Sequence, residues 1–328
     1  MSTAVAAILW VGATAYAVFG GADFGGGMWD LVAGGAERGE RPRDLIDRAI
    51  TPVWEANHVW LIFCLVVLWT GFPRAFAAIA STLVVPLGLA ALGIVLRGSG
   101  FAFRHVVEAL AHRRVAGATF AISSLITPFF MGAAVGGIAA GRVPANGTGD
   151  RVSSWTGPLS LVIGALFVVA CAYLAAVFLT VDARAHGYPD LERYFRVRAL
   201  GAGALAGALA LAALPALHAD AHPIYHRLLH QALPLVIASA LAGVVVMSLL
   251  ALRRPGARPF AALAVACVLW GWAVAQYPFL LPRSLTIEAG AAPSGTLTAL
   301  FVVFGAAVLL VAPSLALLYR LQRGLEET

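Results

Sequence analysis

Stretches of about 20 predominantly apolar residues recur along the chain and are separated by short polar segments. About 20 such residues in a helix cross the hydrocarbon core of a bilayer, because each residue advances the helix by about 1.5 Å. Nine stretches meet this criterion, so the pattern predicts nine transmembrane helices. They cover residues 3–23, 53–72, 75–96, 117–140, 157–181, 198–217, 231–252, 259–281 and 297–319.

The polar segments are too short to form a water-soluble domain. The longest predicted connections are residues 24–52 and 97–116, and neither is a low-complexity tract. The first apolar stretch lacks a basic leading segment and a small-residue cleavage site, so we expect it to be retained as a span. The pattern predicts an all-α, polytopic membrane protein with a single transmembrane helical domain over residues 1–328.

Composition supports the same class. Apolar residues make up 61% of the chain and charged residues 12%, whereas soluble domains carry about 25% charged residues. The mean hydropathy is +0.87. The net charge of +6 does not indicate a nucleic-acid partner, because the basic residues are dispersed among loops and form no basic block with interleaved aromatics.

The arginines predict the orientation of the chain. All 22 basic residues are arginine, and 17 of them fall in alternate connections and at the C-terminus. Cytoplasmic loops are enriched in basic residues, so these segments are predicted to be cytoplasmic and the N-terminus to lie outside. Five arginines fall on the opposite side: Arg74, Arg142, Arg151, Arg227 and Arg283.

Polar and ionisable residues are rare inside the predicted spans, where a central Asp or Arg costs about 2.5 to 3.5 kcal/mol. The candidates, which lie within the spans or directly at their ends, are Asp23, Glu55, Asn57, His58 and Arg97, all predicted to lie toward the cytoplasmic side. Two interpretations are open. The cluster is either a polar inlet that conducts protons, since carboxylate and imidazole exchange protons once tuned, or a structural set that caps helix ends and pairs with Arg97.

His58 is also a candidate haem ligand, because histidine is a common axial ligand of haem. A b-type haem normally needs two ligands at similar depth on neighbouring spans. The other seven histidines fall in predicted connections. The sequence therefore predicts no bound haem in this chain.

Four histidines recur at intervals of four residues in one connection, and three of them, His218, His222 and His226, are weak candidates for zinc or copper ligands together with His230. On one helix they would share a face, as metal ligands require. The alternative is an interfacial helix that begins near Pro223 and carries solvated imidazoles. We favour the alternative, because nothing else in the connection completes a metal site.

The cysteines and the glycine-rich segment exclude other chemistries. Cys64, Cys171 and Cys267 lie in apolar stretches without C-x-x-C spacing, so neither a disulfide framework nor a thiolate metal site is predicted. The segment G-G-A-D-F-G-G-G at residues 20–27 has no preceding strand and no following Lys-Ser/Thr, so it is not a phosphate-binding loop.

Four segments resemble the second subunit of cytochrome bd-type quinol oxidases. The most specific is Pro-Val-Trp-Glu-Ala-Asn-His-Val-Trp-Leu-Ile at residues 52–62, which is similar to the family pattern P-x-W-D-G-N-x-V-W-L-I. The others are Ala-Asp-Phe-Gly-Gly-Gly-Met at 22–28, Leu-Arg-Gly-Ser-Gly-Phe-Ala-Phe-Arg at 96–104 and Tyr-Pro-Phe-Leu-Leu-Pro-Arg-Ser-Leu-Thr at 277–286. They occur in the family's order, while residues 115–255 match only in hydropathy.

The resemblance implies a division of labour between two subunits. A haem-bearing subunit I holds two b haems and a d-type haem and reduces oxygen with electrons from the quinol pool. This chain would carry no haem, would support assembly and would lend residues to a proton path from the cytoplasm. The resemblance also implies a multi-pass location in the inner membrane of a bacterium. It leaves open small accessory subunits and a quinone or lipid bound within this chain.

The chain departs from the family pattern at three carboxylate positions. Gly20 stands where the family usually carries an Asp, Glu55 replaces the Asp of W-D-G-N, and Ala102 replaces a frequent acidic residue. Two carboxylates associated with proton transfer are therefore missing. The path would run through Glu55 and His58 with water, or lie in the partner, or be altered in a divergent branch.

Two other classes of function compete with the oxidase subunit. A small polar cluster in a nine-span protein also fits a proton-coupled transporter of small solutes. Against this, the sequence shows no internal repeat and no pair of Gly/Pro-broken spans in matching halves. A purely structural assembly factor is the third class.

Overall fold

The computed structural model describes the backbone of residues 1–51, 54–106 and 110–326 and the side chains of residues 1–35, 37–51, 54–103, 115–310 and 313. Most of this backbone is helical. The helices are α1 Ser2–Ala15, a π-helical segment Tyr16–Gly20, α2 Gly21–Leu31, α3 Ala36–Ile50, α4 Trp54–Gly71, α5 Pro73–Thr82, α6 Val84–Val106, α7 Leu110–Ala139, α8 Pro158–Ala185, α9 Pro189–Asp220, α10 His222–His230, α11 Leu233–Ala251, α12 Ala257–Gln276, α13 Ile287–Gly290 and α14 Ser294–Glu326.

Eight helical segments among the described residues are long and apolar enough to cross a membrane. They correspond to the first eight predicted spans, and the first runs without interruption from α1 through the π-helical segment into α2. The ninth predicted span, 297–319, falls within α14, of which Ser294–Leu310 is a shorter apolar segment. Many large apolar side chains are exposed on the outer faces of these helices, as lipid contact requires. The prediction of a helical membrane protein is confirmed.

Several predicted boundaries were wrong. The span predicted at 75–96 is divided at Leu83, where α5 ends and α6 begins. The segment 97–116, predicted as a connection, is mostly helical, because α6 continues to Val106 and α7 begins at Leu110. Hydropathy detects only the apolar part of such helices, so their polar ends were assigned to loops.

The connection predicted at 24–52 is also largely helical, since α2 extends to Leu31 and the amphipathic helix α3 follows. The span predicted at 259–281 ends earlier, at Gln276. Pro278 lacks the N–H that a continuing helix needs, and a short antiparallel hairpin follows it. Its strands are β1 Phe279–Leu281 and β2 Leu285–Thr286.

Glycines allow α2 to pack closely between two neighbouring helices. A Cβ at Gly25 would lie 2.0 Å from the carbonyl oxygen of Cys171 in α8, and a Cβ at Gly27 would lie 2.1 Å from the Ser124 Oγ in α7. Both contacts are far inside van der Waals distance. Small residues thus bring the helix that carries Asp23 against the helix that carries Ser124.

The helices place the polar segments at two opposite ends of the bundle. One end, which we call the hairpin end, contains the β1–β2 hairpin and the segment joining α7 to α8, linked by the bond from Ser284 to the Val143 carbonyl. The other, the α3 end, contains α3 and the turn from α8 to α9, linked by the Arg41–Asp190 ion pair. The five arginines predicted on the outer side belong to the hairpin end. That this end faces outward stays a prediction.

Candidate functional site

A buried ion pair joins the first and third predicted spans. Arg97 of α6 donates from Nη1 to the Asp23 Oδ2 at 2.9 Å and from Nη2 to Oδ1 at 2.8 Å. The same Nη2 donates to the backbone carbonyl of Asp23 at 3.0 Å. Each side chain is only 1% exposed. Burial of two charges is tolerated because this two-pronged geometry pairs both carboxylate oxygens.

Ser124 of α7 completes the hydrogen bonding of the guanidinium. The Arg97 Nε donates to the Ser124 Oγ at 3.0 Å, and that hydroxyl donates to the carbonyl of Phe120 at 2.6 Å. The ring centroids of Phe24 and Phe120 lie 5.1 and 4.8 Å from the Arg97 Cζ. Four of the five N–H groups of Arg97 are thus bonded, and the aromatic faces stabilise its charge.

Tyr16 and His58 form a second polar pair beside this ion pair. Their ring centroids are 6.3 Å apart, and the Phe24 ring lies 6.3 Å from Tyr16 and 6.0 Å from His58. The Tyr16 hydroxyl and the His58 Nδ1 are buried and have no hydrogen-bond partner among the described residues. The same Phe24 ring lies 5.1 Å from the Arg97 Cζ, so it separates this pair of rings from the buried ion pair. Two groups that can carry protons, the Tyr16 phenol and the His58 imidazole, therefore have polar atoms available for hydrogen bonding near the buried ion pair.

The remaining two predicted residues lie on α4, and among the described residues neither forms a hydrogen bond or ion pair with Asp23 or Arg97. Asn57 is 7% exposed. Glu55 is exposed on the surface of the chain, and within the described part of the chain its carboxylate forms no hydrogen bond or salt bridge. The structure thus brings Asp23, Arg97 and His58 together and leaves Glu55 facing outward.

Sequence reasoning missed Ser124, Tyr16 and a second acidic residue, Asp30. A hydroxyl residue inside an apolar span is too common to single out, and Tyr16 was counted as apolar. Asp30 follows Asp23 by seven residues, about 10.5 Å along the helix, and accepts a bond from the Arg43 Nε at 2.8 Å. The repeat of acidic residues at i and i+7 could have indicated a shared helix face. It extends the polar side of α2 toward the α3 end.

The structure describes the surroundings of two positions, Gly20 and Ala102, at which the chain departs from the family pattern. A Cβ at Gly20 would lie 2.9 Å from the ring of Tyr16, so Tyr16 occupies the space next to the position where the family usually carries an Asp. Ala102, near the end of α6, is exposed. Neither position supplies a carboxylate to the cluster.

The histidine series does not lie on one helix. His218 is in the last turn of α9 and the other three are in α10, which begins at His222 after the break at Ala221. The rings form two pairs, with His218 4.9 Å from His222 and His226 4.0 Å from His230. Over the residues whose side chains are described, no group of three or more His, Cys, Asp or Glu side chains could hold a metal ion.

His58, the candidate haem ligand, packs against aromatic rings, and that this chain holds no haem stays a prediction. The aromatic rings that contact His58 are those of Tyr16 and Phe24, and no second histidine ring packs against it in the described part of the chain. The side chains of His105 and His112 lie outside the described residues, as do Pro52 and Val53 of the motif that precedes α4.

Comparisons with known proteins all match this chain to one family. The family model for cytochrome bd terminal oxidase subunit II matches residues 1–322. Cytochrome bd-I ubiquinol oxidase subunit 2 of Escherichia coli K12 is 27% identical over 312 residues, covering 84% of this chain and 80% of that protein. Cytochrome bd ubiquinol oxidase subunit 2 of Bacillus subtilis is 32% identical over 126 residues, covering 38% of this chain and only 36% of that protein.

A solved structure supports the same relationship at the level of the fold. A chain of the bd oxidase from Geobacillus thermodenitrificans superposes with a TM-score of 0.80 at 28% identity, and the match covers 98% of each chain. The similarity therefore includes residues 115–255, where the sequence matched only in hydropathy.

Proposed function

Because the chain belongs to the cytochrome bd terminal oxidase subunit II family, we propose that it is the haem-free second subunit of a quinol oxidase. The family match over residues 1–322 carries this proposal. In it, a haem-bearing subunit I takes electrons from quinol and reduces oxygen to water at its b and d-type haems. This chain packs against that subunit in the inner membrane of a bacterium, with its N-terminus outside, and supports assembly.

The chemistry of the buried cluster supports a second element of the proposal, proton uptake from the α3 end. Asp23 and Arg97 share two hydrogen bonds, so in this proposal the pair provides a charge distribution of fixed geometry. Tyr16 and His58 lie beside it with open polar atoms, and they are the groups that would pass protons, with Glu55 as an entry point on the outer face of α4. Water molecules would connect them.

The experiment that tests the oxidase assignment is purification of the tagged chain in mild detergent, followed by a reduced-minus-oxidised absorption spectrum. We expect a stoichiometric membrane partner to copurify and the sample to show b- and d-type haem bands. After the partner is removed, the spectrum of this chain should lack those bands. A chain that purifies alone, without colour, and takes up a solute in liposomes would support the transporter instead. A chain that purifies alone with a haem spectrum would make His58 a ligand.

A further inference from the structure

A pocket of about 250 Å³ opens at the hairpin end, between α7, α10, α12 and the β1–β2 hairpin. It is remote from the Asp23–Arg97 cluster, which lies toward the α3 end. Its lining includes two guanidinium groups, a buried amide and apolar side chains, and no carboxylate. The residues that matter for its chemistry are Ala139, Ile224, Arg227, Gln276, Phe279 and Arg283.

The two arginines leave positive charge uncompensated in this pocket. Arg227 uses Nη1 to bond the Tyr277 carbonyl at 2.7 Å and places its Cζ 5.9 Å from the Phe279 ring centroid. Arg283 is exposed, and its guanidinium has neither a hydrogen bond nor an ion pair within the described part of the chain. Its stem runs along Gly141, where a Cβ would lie 3.6 Å from the Arg283 Cδ. Two arginines that line one pocket without a carboxylate favour an anion, and each guanidinium can bind two phosphate oxygens at once.

Gln276 adds a buried hydrogen-bond acceptor to the lining. Its side chain donates from Nε2 to the Leu280 carbonyl at 2.8 Å, which fixes the orientation of the amide. Its Oε1 is buried without a partner, and the residue is 6% exposed. A buried acceptor without a partner destabilises the folded protein, so a ligand that donates a hydrogen bond to the Gln276 Oε1 relieves that cost.

The depth of the pocket suits the headgroup layer of a bilayer. Ala139 and Gln276, the last residues of two span helices, both line it. The end of a span lies where the hydrocarbon core gives way to headgroups. Guanidinium groups at this depth are level with the phosphates of the lipid headgroups, which they bind by charge and hydrogen bonds.

We propose that this pocket binds a phosphate ester that carries a free hydroxyl. The phosphate lies between Arg227 and Arg283, and the hydroxyl donates to the Gln276 Oε1. Two sources supply this chemistry: the glycerophosphate headgroup of a phosphatidylglycerol-type lipid, and soluble glycerol phosphate. The site is independent of the proposed oxidase role and does not require it.

The test is a binding titration on the purified full-length chain with whatever partner copurifies. The probes are short-chain phosphatidylglycerol, phosphatidic acid, phosphatidylcholine and soluble glycerol phosphate. We expect Arg283→Gln to raise the dissociation constant for phosphatidylglycerol about tenfold or more, the scale of a lost charge-assisted hydrogen bond. Arg151→Gln removes another exposed arginine at the same end but outside the pocket, and it should leave this dissociation constant unchanged.

The variant Gln276→Leu distinguishes the contribution of the ligand's hydroxyl to binding from that of its phosphate. It should abolish the preference for phosphatidylglycerol over phosphatidic acid and leave the binding of phosphatidic acid intact. If Arg283→Gln weakens the binding of soluble glycerol phosphate as much as that of phosphatidylglycerol, the site is supported and its ligand is a soluble ester. If only the lipid binds, the site is supported and its ligand is a membrane lipid. Wild-type binding by the Arg283→Gln protein, or phosphatidylcholine binding as tightly as phosphatidylglycerol, would overturn the proposal. The unliganded melting temperature verifies that each variant is folded.

Discussion

The carboxylate of Asp23 and the guanidinium of Arg97 are 74 residues apart in sequence and share two hydrogen bonds, of 2.9 and 2.8 Å. Because both side chains are 1% exposed, neither charge is solvated by water or by lipid headgroups. The pair ties α2 to α6, and through Ser124 also to α7. Loss of either partner therefore leaves a buried charge without compensation.

Breaking this pair should be strongly destabilising. Asp23→Asn or Arg97→Gln leaves one buried charge unpaired, and such changes cost about 3 to 5 kcal/mol. The double replacement Asp23→Leu with Arg97→Met should recover much of that loss, because two apolar side chains need no partner. The measurement is the melting temperature and yield of the purified protein.

The matched control for this prediction is Arg41→Gln, which breaks the Arg41–Asp190 pair at the α3 end. Those side chains are 60% and 51% exposed, and exposed pairs contribute about 0 to 1 kcal/mol. If Arg97→Gln were no more destabilising than Arg41→Gln, the pair would not support the bundle.

The close approach of α2 and α8 predicts a sensitive position at Gly25. Gly25→Ala places a methyl group 2.0 Å from the Cys171 carbonyl oxygen, and overpacking of this kind costs about 1 to 3 kcal/mol or more. Gly207→Ala in α9 is the control, since nothing lies within 4 Å of its Cβ. That change should stabilise the helix by up to about 1 kcal/mol. Opposite shifts in melting temperature are expected, and equal shifts would contradict the packing argument.

Removal of the Tyr16 hydroxyl should lower the turnover of the complex without lowering the stability of the protein. Tyr16→Phe removes a buried hydroxyl that has no partner among the described residues, so the melting temperature should stay unchanged or rise. If the hydroxyl passes protons, oxygen consumption by the assembled complex should fall about tenfold, which corresponds to about 1.4 kcal/mol on the barrier.

Tyr173→Phe is a matched control for this measurement. Its hydroxyl is also buried without a described partner, but it lies in the apolar cluster with Val246 and Leu250, so turnover should not change. Equal rates for Tyr16→Phe and the wild type, with an unaltered solvent isotope effect, would remove Tyr16 from the proton path.

Glu55 tests whether protons enter on the outer face of α4. Glu55→Gln keeps the shape of an exposed side chain and removes the exchangeable proton, so steady-state oxygen consumption should fall about tenfold, again about 1.4 kcal/mol on the barrier. Glu37→Gln, at an exposed position in α3, should not affect the rate. Wild-type consumption in the assembled Glu55→Gln complex would eliminate the proton role of this residue.

The class of protein and most of its spans were predictable from the sequence because hydropathy is a local property. About 20 apolar residues in a row can hardly be placed anywhere other than a bilayer, so the first eight predicted spans each overlap a described helix long and apolar enough to cross one. The ion-pair candidates were also predictable, because charged residues inside apolar stretches are costly and few. Motif order identified the family, and the family model agrees over residues 1–322.

The tertiary structure alone decided which of these residues meet. Helix rotation and depth are set by packing, such as the contact of Gly25 with α8, and not by local sequence. This packing pairs Arg97 with Asp23, adds Ser124 from a helix 27 residues further along the chain, and turns Glu55 outward. It also extends helices into segments 24–52 and 97–116, because a helix continues beyond the bilayer wherever neighbouring helices and water satisfy its polar side chains. The Arg227–Arg283 pocket is likewise assembled from segments distant in sequence.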